Sequence, residues 1–161
     1  MHAYLDSRDS TKLDPIDTPE PKTEEMSGYL IKRAQATLHV RLEKIVSPHG
    51  LGIPQFVVLS LLAETPGLAN ADPARRAFVT PQSMNEVLKQ LESTGLVERR
   101  PNPTNARILN AYLTRTGTRK WSVVSSQVRE LEARLLSGLT SDERQTLNRA
   151  LLTIIDNVTR S

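Results

Sequence analysis

VTPQSMNEVLKQLESTGLVERRPNPTNARILNAYLT, Val79–Thr114, is the stretch whose reading decides the fold. It begins as a helix over Pro81–Thr94. Thr80 is a good N-cap, and Pro81 falls at the first helical position, where its missing N–H costs nothing. Met84, Val87, Leu88 and Leu91 recur at helical spacing and make one apolar stripe. Gly95 ends the helix as a glycine C-cap does. The other face carries Gln82, Ser83, Asn85, Glu86, Lys89 and Gln90. Asn and Gln can pair two-pronged with an adenine edge, and Ser can bond a base or a phosphate. Taken alone, such a helix would read as a surface helix with a solvated face.

The residues that follow change that reading. Leu96–Arg100 and Arg107–Thr114 are strand-like, and the Pro101–Ala106 segment between them is turn-rich. Arg99, Arg100 and Arg107 flank the turn. A polar helix backed by a short basic hairpin is the layout of a winged helix, which can reach a DNA groove and its phosphates. Charge supports this. From Arg75 to Lys120 there are nine Lys/Arg against three Glu, a net +6, whereas the whole chain carries only +3. Positive charge concentrated on one segment is the electrostatic footprint of a nucleic-acid binder.

Outward from this segment, helices dominate. One is expected over Ser27–Ile45, with Ile31, Ala34, Leu38, Leu42 and Ile45 as its stripe. Pro48 and Gly50 break it. A second, Ile53–Glu64, is apolar on most sides and so belongs at the centre of the fold. A short helix fits Asn70–Ala77, where Arg75 and Arg76 face either phosphate or solvent. After the hairpin, Arg115–Ser137 carries a heptad-like seam of Trp121, Val124, Val128, Leu131 and Leu135. Thr140–Glu143 is a capping box opening a last helix whose seam is Leu147, Leu151, Ile154 and Val158. A winged-helix core over about residues 53–114 does not need the stripes of about 27–46 and 115–159. They could pack within one chain or on a second copy. The second copy is the favoured reading, because a two-fold dimer presents two recognition helices to half-sites about one DNA turn apart.

The chain is 161 residues long, 38% hydrophobic and 4% aromatic, which suits one helical domain with an aliphatic core over residues 27–161. Residues 1–26 hold three prolines and a net −4, without helical or strand period. They read as a flexible acidic arm, either a mere extension or a segment that crosses to a partner subunit. No run of about 18 apolar residues spans a membrane, and no signal-peptide core is visible, so a cytoplasmic protein is expected. With no cysteine, thiol redox sensing and cysteine metal sites are excluded. His2, His39 and His49 lack metal-ligand spacing, so neither a metal nor a cofactor is expected.

From Ser27 to Val158 the chain resembles the MarR family, the multiple-antibiotic-resistance type of winged-helix regulator. The resemblance rests on three blocks. They are GYLIKRAQATLHVRLEKIVSPHGLGIPQFVVLSLLAETPG, then ARRAFVTPQSMNEVLKQLESTGLVERRPNPTNARILNAYLT, then LLSGLTSDERQTLNRALL. The middle block, a wing followed by Leu-Thr and a long helix, is the selective one. The resemblance implies a mainly α fold with a small β-hairpin wing and a helical dimerisation region. It also implies a homodimer on near-palindromic double-stranded DNA. The expected DNA contacts are Gln82, Ser83, Asn85, Glu86 and Lys89 on the helix, with Arg99, Asn105 and Arg107 on the hairpin. The family's wing usually carries Asp-x-Arg. Here it reads Asn105-Ala106-Arg107, so any ion pair orienting the arginine becomes at best a neutral hydrogen bond. Pro73 stands where the family tends to have leucine.

The resemblance further implies a repressor released by a small aromatic or phenolic effector. Tyr29, His39, His49 and Trp121 could line its pocket, but on residue type they fit core or interface packing better, and no ligand site is assigned. An enzyme is disfavoured, because no nucleophile, phosphate loop or reasoned carboxylate pair is visible. The alternative function is a winged-helix protein-interaction module without specific DNA binding. The polar set Gln82, Ser83, Asn85, Lys89 and Arg107 favours DNA. Glu86 alone argues the other way, unless it accepts from a cytosine amino group.

Overall fold

A computed structural model describes residues 22–69 and 80–160, so the helix expected over Asn70–Ala77 and most of the N-terminal arm lie outside the described residues. The chain separates into two compact units at Ala36/Thr37. Within the first unit a 3-10 turn, Thr23–Glu25, precedes the start of helix α1 (Ser27–Val46), and no described residue there is buried.

The second unit holds the core. Helix α2 (Ile53–Glu64) has the limits its sequence sets, from Pro54 in its first turn to the break at Pro66-Gly67. Its N-terminus is closed by Gln55, whose Oε1 accepts the Gly52 amide at 2.9 Å. Helix α3 (Pro81–Ser93) starts at Thr80, whose hydroxyl accepts the Ser83 amide at 3.1 Å. It ends on Gly95 at φ +68°, with Gly95 and Leu96 amides returning to Glu92 and Leu91 carbonyls at 3.0 and 2.9 Å. That paired return is the glycine-terminated end that satisfies the last carbonyls of a helix.

The wing is a sheet of three strands, not two. Strand β1 (Leu68–Ala69) pairs antiparallel with β3 (Leu109–Leu113), which also pairs with β2 (Val97–Pro101), giving the order β1-β3-β2. Two residues are too few to show an alternating pattern, so β1 has no sequence signal of its own. β3 begins later than expected, at Leu109 instead of Arg107. Asn105 explains this: its Oδ1 accepts the Arg107 amide at 3.1 Å and takes that N–H out of the ladder.

Helix α4 (Arg115–Leu135) is docked on the sheet by its first turn. Thr114 Oγ1 accepts the Gly117 amide at 3.0 Å and donates to the Gly95 carbonyl at 2.7 Å. Gly117 is required there, since a Cβ at that position would lie 2.0 Å from the Leu96 carbonyl oxygen. The core is built from Val46, Leu51, Phe56, Val58, Leu59, Leu62, Met84, Leu88, Leu91, Leu96, Val97, Ala111 and Val124. Trp121 and Val128 pack against it, so the first half of the α4 seam is satisfied within the subunit. Leu135 at its far end is exposed. Helix α5 (Ser141–Thr159) opens on the expected capping box and buries none of its residues. No single helix among the described residues is long and apolar enough to cross a membrane.

Candidate nucleic-acid interface

The apolar stripe of α3 fixes which of its residues face outward. Met84, Leu88 and Leu91 are buried against the core. Gln82, Glu86 and Lys89 are therefore held on the exposed side, and none of them bonds another described side chain. Ser83 is exposed as well, its Oγ accepting from Thr80 Oγ1 at 2.9 Å. Gln90 on the same helix joins α3 to α2, its Oε1 accepting from Gln55 Nε2 at 3.1 Å. The two helices thus meet the solvent as one unit.

The wing tip is ordered by its asparagines. Asn102 Oδ1 accepts from Thr104 N at 2.9 Å, Thr104 Oγ1 at 2.7 Å and Asn105 N at 3.1 Å. Asn102 Nδ2 reaches Asn110 Oδ1 at 3.3 Å, and the Asn102 amide closes the loop on the Ile108 carbonyl at 2.8 Å. Such side-chain bonds to the local backbone are what make Asn a turn former. Arg107 projects from this scaffold, exposed and without a side-chain partner among the described residues. Asn105 holds the backbone of Arg107, not its guanidinium.

The other two hairpin arginines are engaged. Arg99 is only 13% exposed; its Nε and Nη2 donate to Glu92 Oε2 at 2.9 and 2.5 Å, and its Nη1 to Asn85 Oδ1 at 3.2 Å. It clamps β2 to α3. Arg100 pairs with Glu98 and lies over the Tyr112 ring, 5.1 Å from the centroid. Behind Tyr112, a cavity of about 240 Å³ opens between α2, β3 and α4, lined by Leu62, Ala63, Pro66, Tyr112, Leu113, Thr118 and Trp121. Trp121 is fixed by an Nε1 bond to Ser60 Oγ at 3.2 Å.

Residues 51–109, from just before α2 to the first residue of β3, match the family model described as MarR family. The chain is 40% identical over 124 residues to the HTH-type transcriptional repressor Rv2887 of Mycobacterium tuberculosis, covering 77% of this chain and 89% of that one. The chain belongs to the MarR family. It is a transcriptional regulator, not an enzyme. The crystal structure of the same M. tuberculosis protein in complex with DNA is 39% identical and superposes with a TM-score of 0.64, covering 80% of this chain and 97% of that chain. Its complex with salicylic acid gives 39% identity and a TM-score of 0.62, over 80% of this chain and 96% of that chain.

Seen in this MarR-family frame, the eight residues expected at the DNA fall into two groups. Gln82, Ser83, Glu86 and Lys89 on α3, with Asn105 and Arg107 on the wing, are all exposed. Arg99 and Asn85 are half-buried and bonded to each other, an arrangement not expected from the sequence. Of the four residues considered for a pocket, Trp121 lines the cavity. Tyr29 and His39 are exposed, while the His49 carbonyl accepts from Lys120 Nζ at 2.8 Å and its ring faces Gln127. Tyr112 was missed because a tyrosine on a short strand carries no signal of its own. Among the described residues no group of His, Asp or Glu could hold a metal ion.

Proposed function

We propose that this chain is a cytoplasmic, sequence-specific DNA-binding repressor that acts as a homodimer and is released by a small aromatic or phenolic acid. The observation that carries the DNA reading is the exposed face of α3 together with Arg107, which is exposed and has no side-chain partner among the described residues. The side chains of Gln82, Glu86 and Lys89 bond no other side chain among the described residues, and the wing tip is pre-ordered by Asn102 and Asn105. A helix of that kind reads a major groove, while an arginine on a wing enters the neighbouring minor groove or meets phosphate.

The dimer reading is supported by apolar residues that stay exposed among the described residues. Leu147, Leu151, Leu152, Ile154, Ile155 and Val158 on α5 are all exposed, as are Tyr29, Leu30 and Ile31 on α1. Patches of this kind mark an association surface. The effector reading is supported by the cavity behind Tyr112 and by the salicylic acid complex of the M. tuberculosis relative. A pocket walled by Trp121, Tyr112 and aliphatic side chains suits a flat aromatic molecule.

A gel-shift titration with the DNA upstream of the coding region tests the proposal, with random DNA as competitor at two salt concentrations. Tight, competitor-resistant binding that salicylate weakens is the expected result. Weak binding that is only salt-dependent would favour the protein-interaction module instead.

A further inference from the structure

Asn85 sits on the DNA-facing helix, but it is not a free amide. Its Oδ1 accepts a hydrogen bond from Arg99 Nη1 at 3.2 Å. A guanidinium has only donors, so the amide must meet it with oxygen, and the orientation of Asn85 is determined. Its Nδ2 has no partner among the described residues. Arg99 cannot easily swing away. It is 13% exposed and doubly bonded to Glu92 Oε2 at 2.9 and 2.5 Å. Asn85 and Glu92 lie two turns apart on one face of α3, and Arg99 reaches both from β2.

Two-pronged pairing of asparagine with adenine needs one acceptor and one donor from the amide. Here Arg99 takes one of the oxygen's two lone pairs and sets a cation beside it, whereas the Nδ2 protons have no partner among the described residues, which favours a base edge made of acceptors. We propose that Asn85 reads its base pair as a hydrogen-bond donor, on the guanine O6/N7 edge and not on adenine, and that Arg99 is the positioning residue that imposes this choice. The inference rests on the DNA-binding reading above. Guanine is the base that offers two adjacent acceptors in the major groove.

The test is selection of bound sequences from a randomised duplex pool by the full-length protein and by Asn85→Ala, Arg99→Lys and Arg99→Met. The base pair whose preference disappears in Asn85→Ala is the one Asn85 reads. In the unaltered protein that pair is expected to be guanine, favoured over adenine on the order of tenfold. Arg99→Met frees the Asn85 oxygen, and the preference there should flatten or move to adenine while the rest of the motif persists. Arg99→Lys keeps a cation beside Glu92 but loses the planar fork. It should melt like the unaltered protein yet lose the guanine preference, which separates positioning from folding. Adenine at that pair in the unaltered protein would overturn the inference, as would a motif untouched by Asn85→Ala. Uniformly weaker binding by both Arg99 variants with an unchanged motif would leave Arg99 a purely structural clamp. Recovery of no motif at all would sink the DNA reading itself, an outcome distinct from a motif with adenine at this position.

Discussion

Helices α2 and α5 are made from the same kinds of apolar residue, and their fates differ. α2 buries Phe56, Val58, Leu59, Leu61 and Leu62 within the subunit. α5 buries none of its residues, and Leu152 and Val158 are 66% and 73% exposed. The distinction lies in how the residues are arranged. α2 is apolar around most of its circumference, so neighbours must surround it: α3 on one side, the sheet and α4 on others. α5 carries one stripe, Leu147, Leu151, Ile154 and Val158, and needs only one covering surface. A stripe states that a helix must be covered. It does not state by which chain, and the two ends of α4 differ in the same way. Its Val124 is completely buried in its own subunit, while Leu135 is 49% exposed.

Truncation in α2 should therefore have the largest effect, and should act on the subunit itself. Leu59 is completely buried, and Leu59→Ala is expected to cost about 2–5 kcal/mol of unfolding free energy. Denaturant titration checks this, and the loss should be the same at low and high protein concentration. In α5, Ile154→Glu should do the opposite. It should leave the subunit's fold intact and weaken association by about 1.5–3 kcal/mol per protomer, the worth of one buried isoleucine. Light scattering would show monomers at concentrations where the unaltered protein is dimeric. An intact dimer would place the α5 stripe outside the interface.

How far the sequence carried depends on whether a signal is local. The limits of α2, the Thr80 cap and the Gly95 stop were legible because each follows from a few neighbouring residues. The exposure of Gln82, Glu86 and Lys89 was legible for the same reason, since Met84, Leu88 and Leu91 fix the helix's rotation. β1 was not, because Leu68-Ala69 becomes a strand only through β3. Nor was the late start of β3, which depends on a single side-chain bond from Asn105 to the Arg107 amide. Arg99 looked like a free cation beside a basic turn. Its capture by Glu92 and Asn85 depends on how β2 packs against α3, a distance that spacing does not encode. The spacing of Asn85 and Glu92 on one helical face, followed by an arginine on the next strand, was the available hint.

Smaller effects should appear at the helix starts. Thr140 caps α5 through its hydroxyl, which accepts the Glu143 amide at 3.3 Å. Thr140→Ala should cost about 1 kcal/mol, read by the same denaturant titration. Because α5 packs on no described residue that buries it, the loss should also show as fraying of its first turn.

Acid provides the finest comparison between the two helices, because their caps differ in charge. The Gly52 amide before α2 is held by the neutral side chain of Gln55 at 2.9 Å. The Thr140 amide before α5 is held by the carboxylate of Glu143 at 2.7 Å. That backbone bond, followed by the bond from the Thr140 hydroxyl, holds the Glu143 carboxyl below the usual glutamate range. Folding thus favours its ionised form. The contribution of this cap is complete above the carboxyl's ordinary value and is lost as pH falls through the lowered one. Amide hydrogen exchange, corrected for its intrinsic pH dependence, should then show Thr140 losing protection on acidification while Gly52 keeps it. Glu143→Gln, which can still accept the bond but cannot titrate, should abolish the difference. Equal loss at both amides would mean that acid opens the whole subunit and that the two caps are not independent.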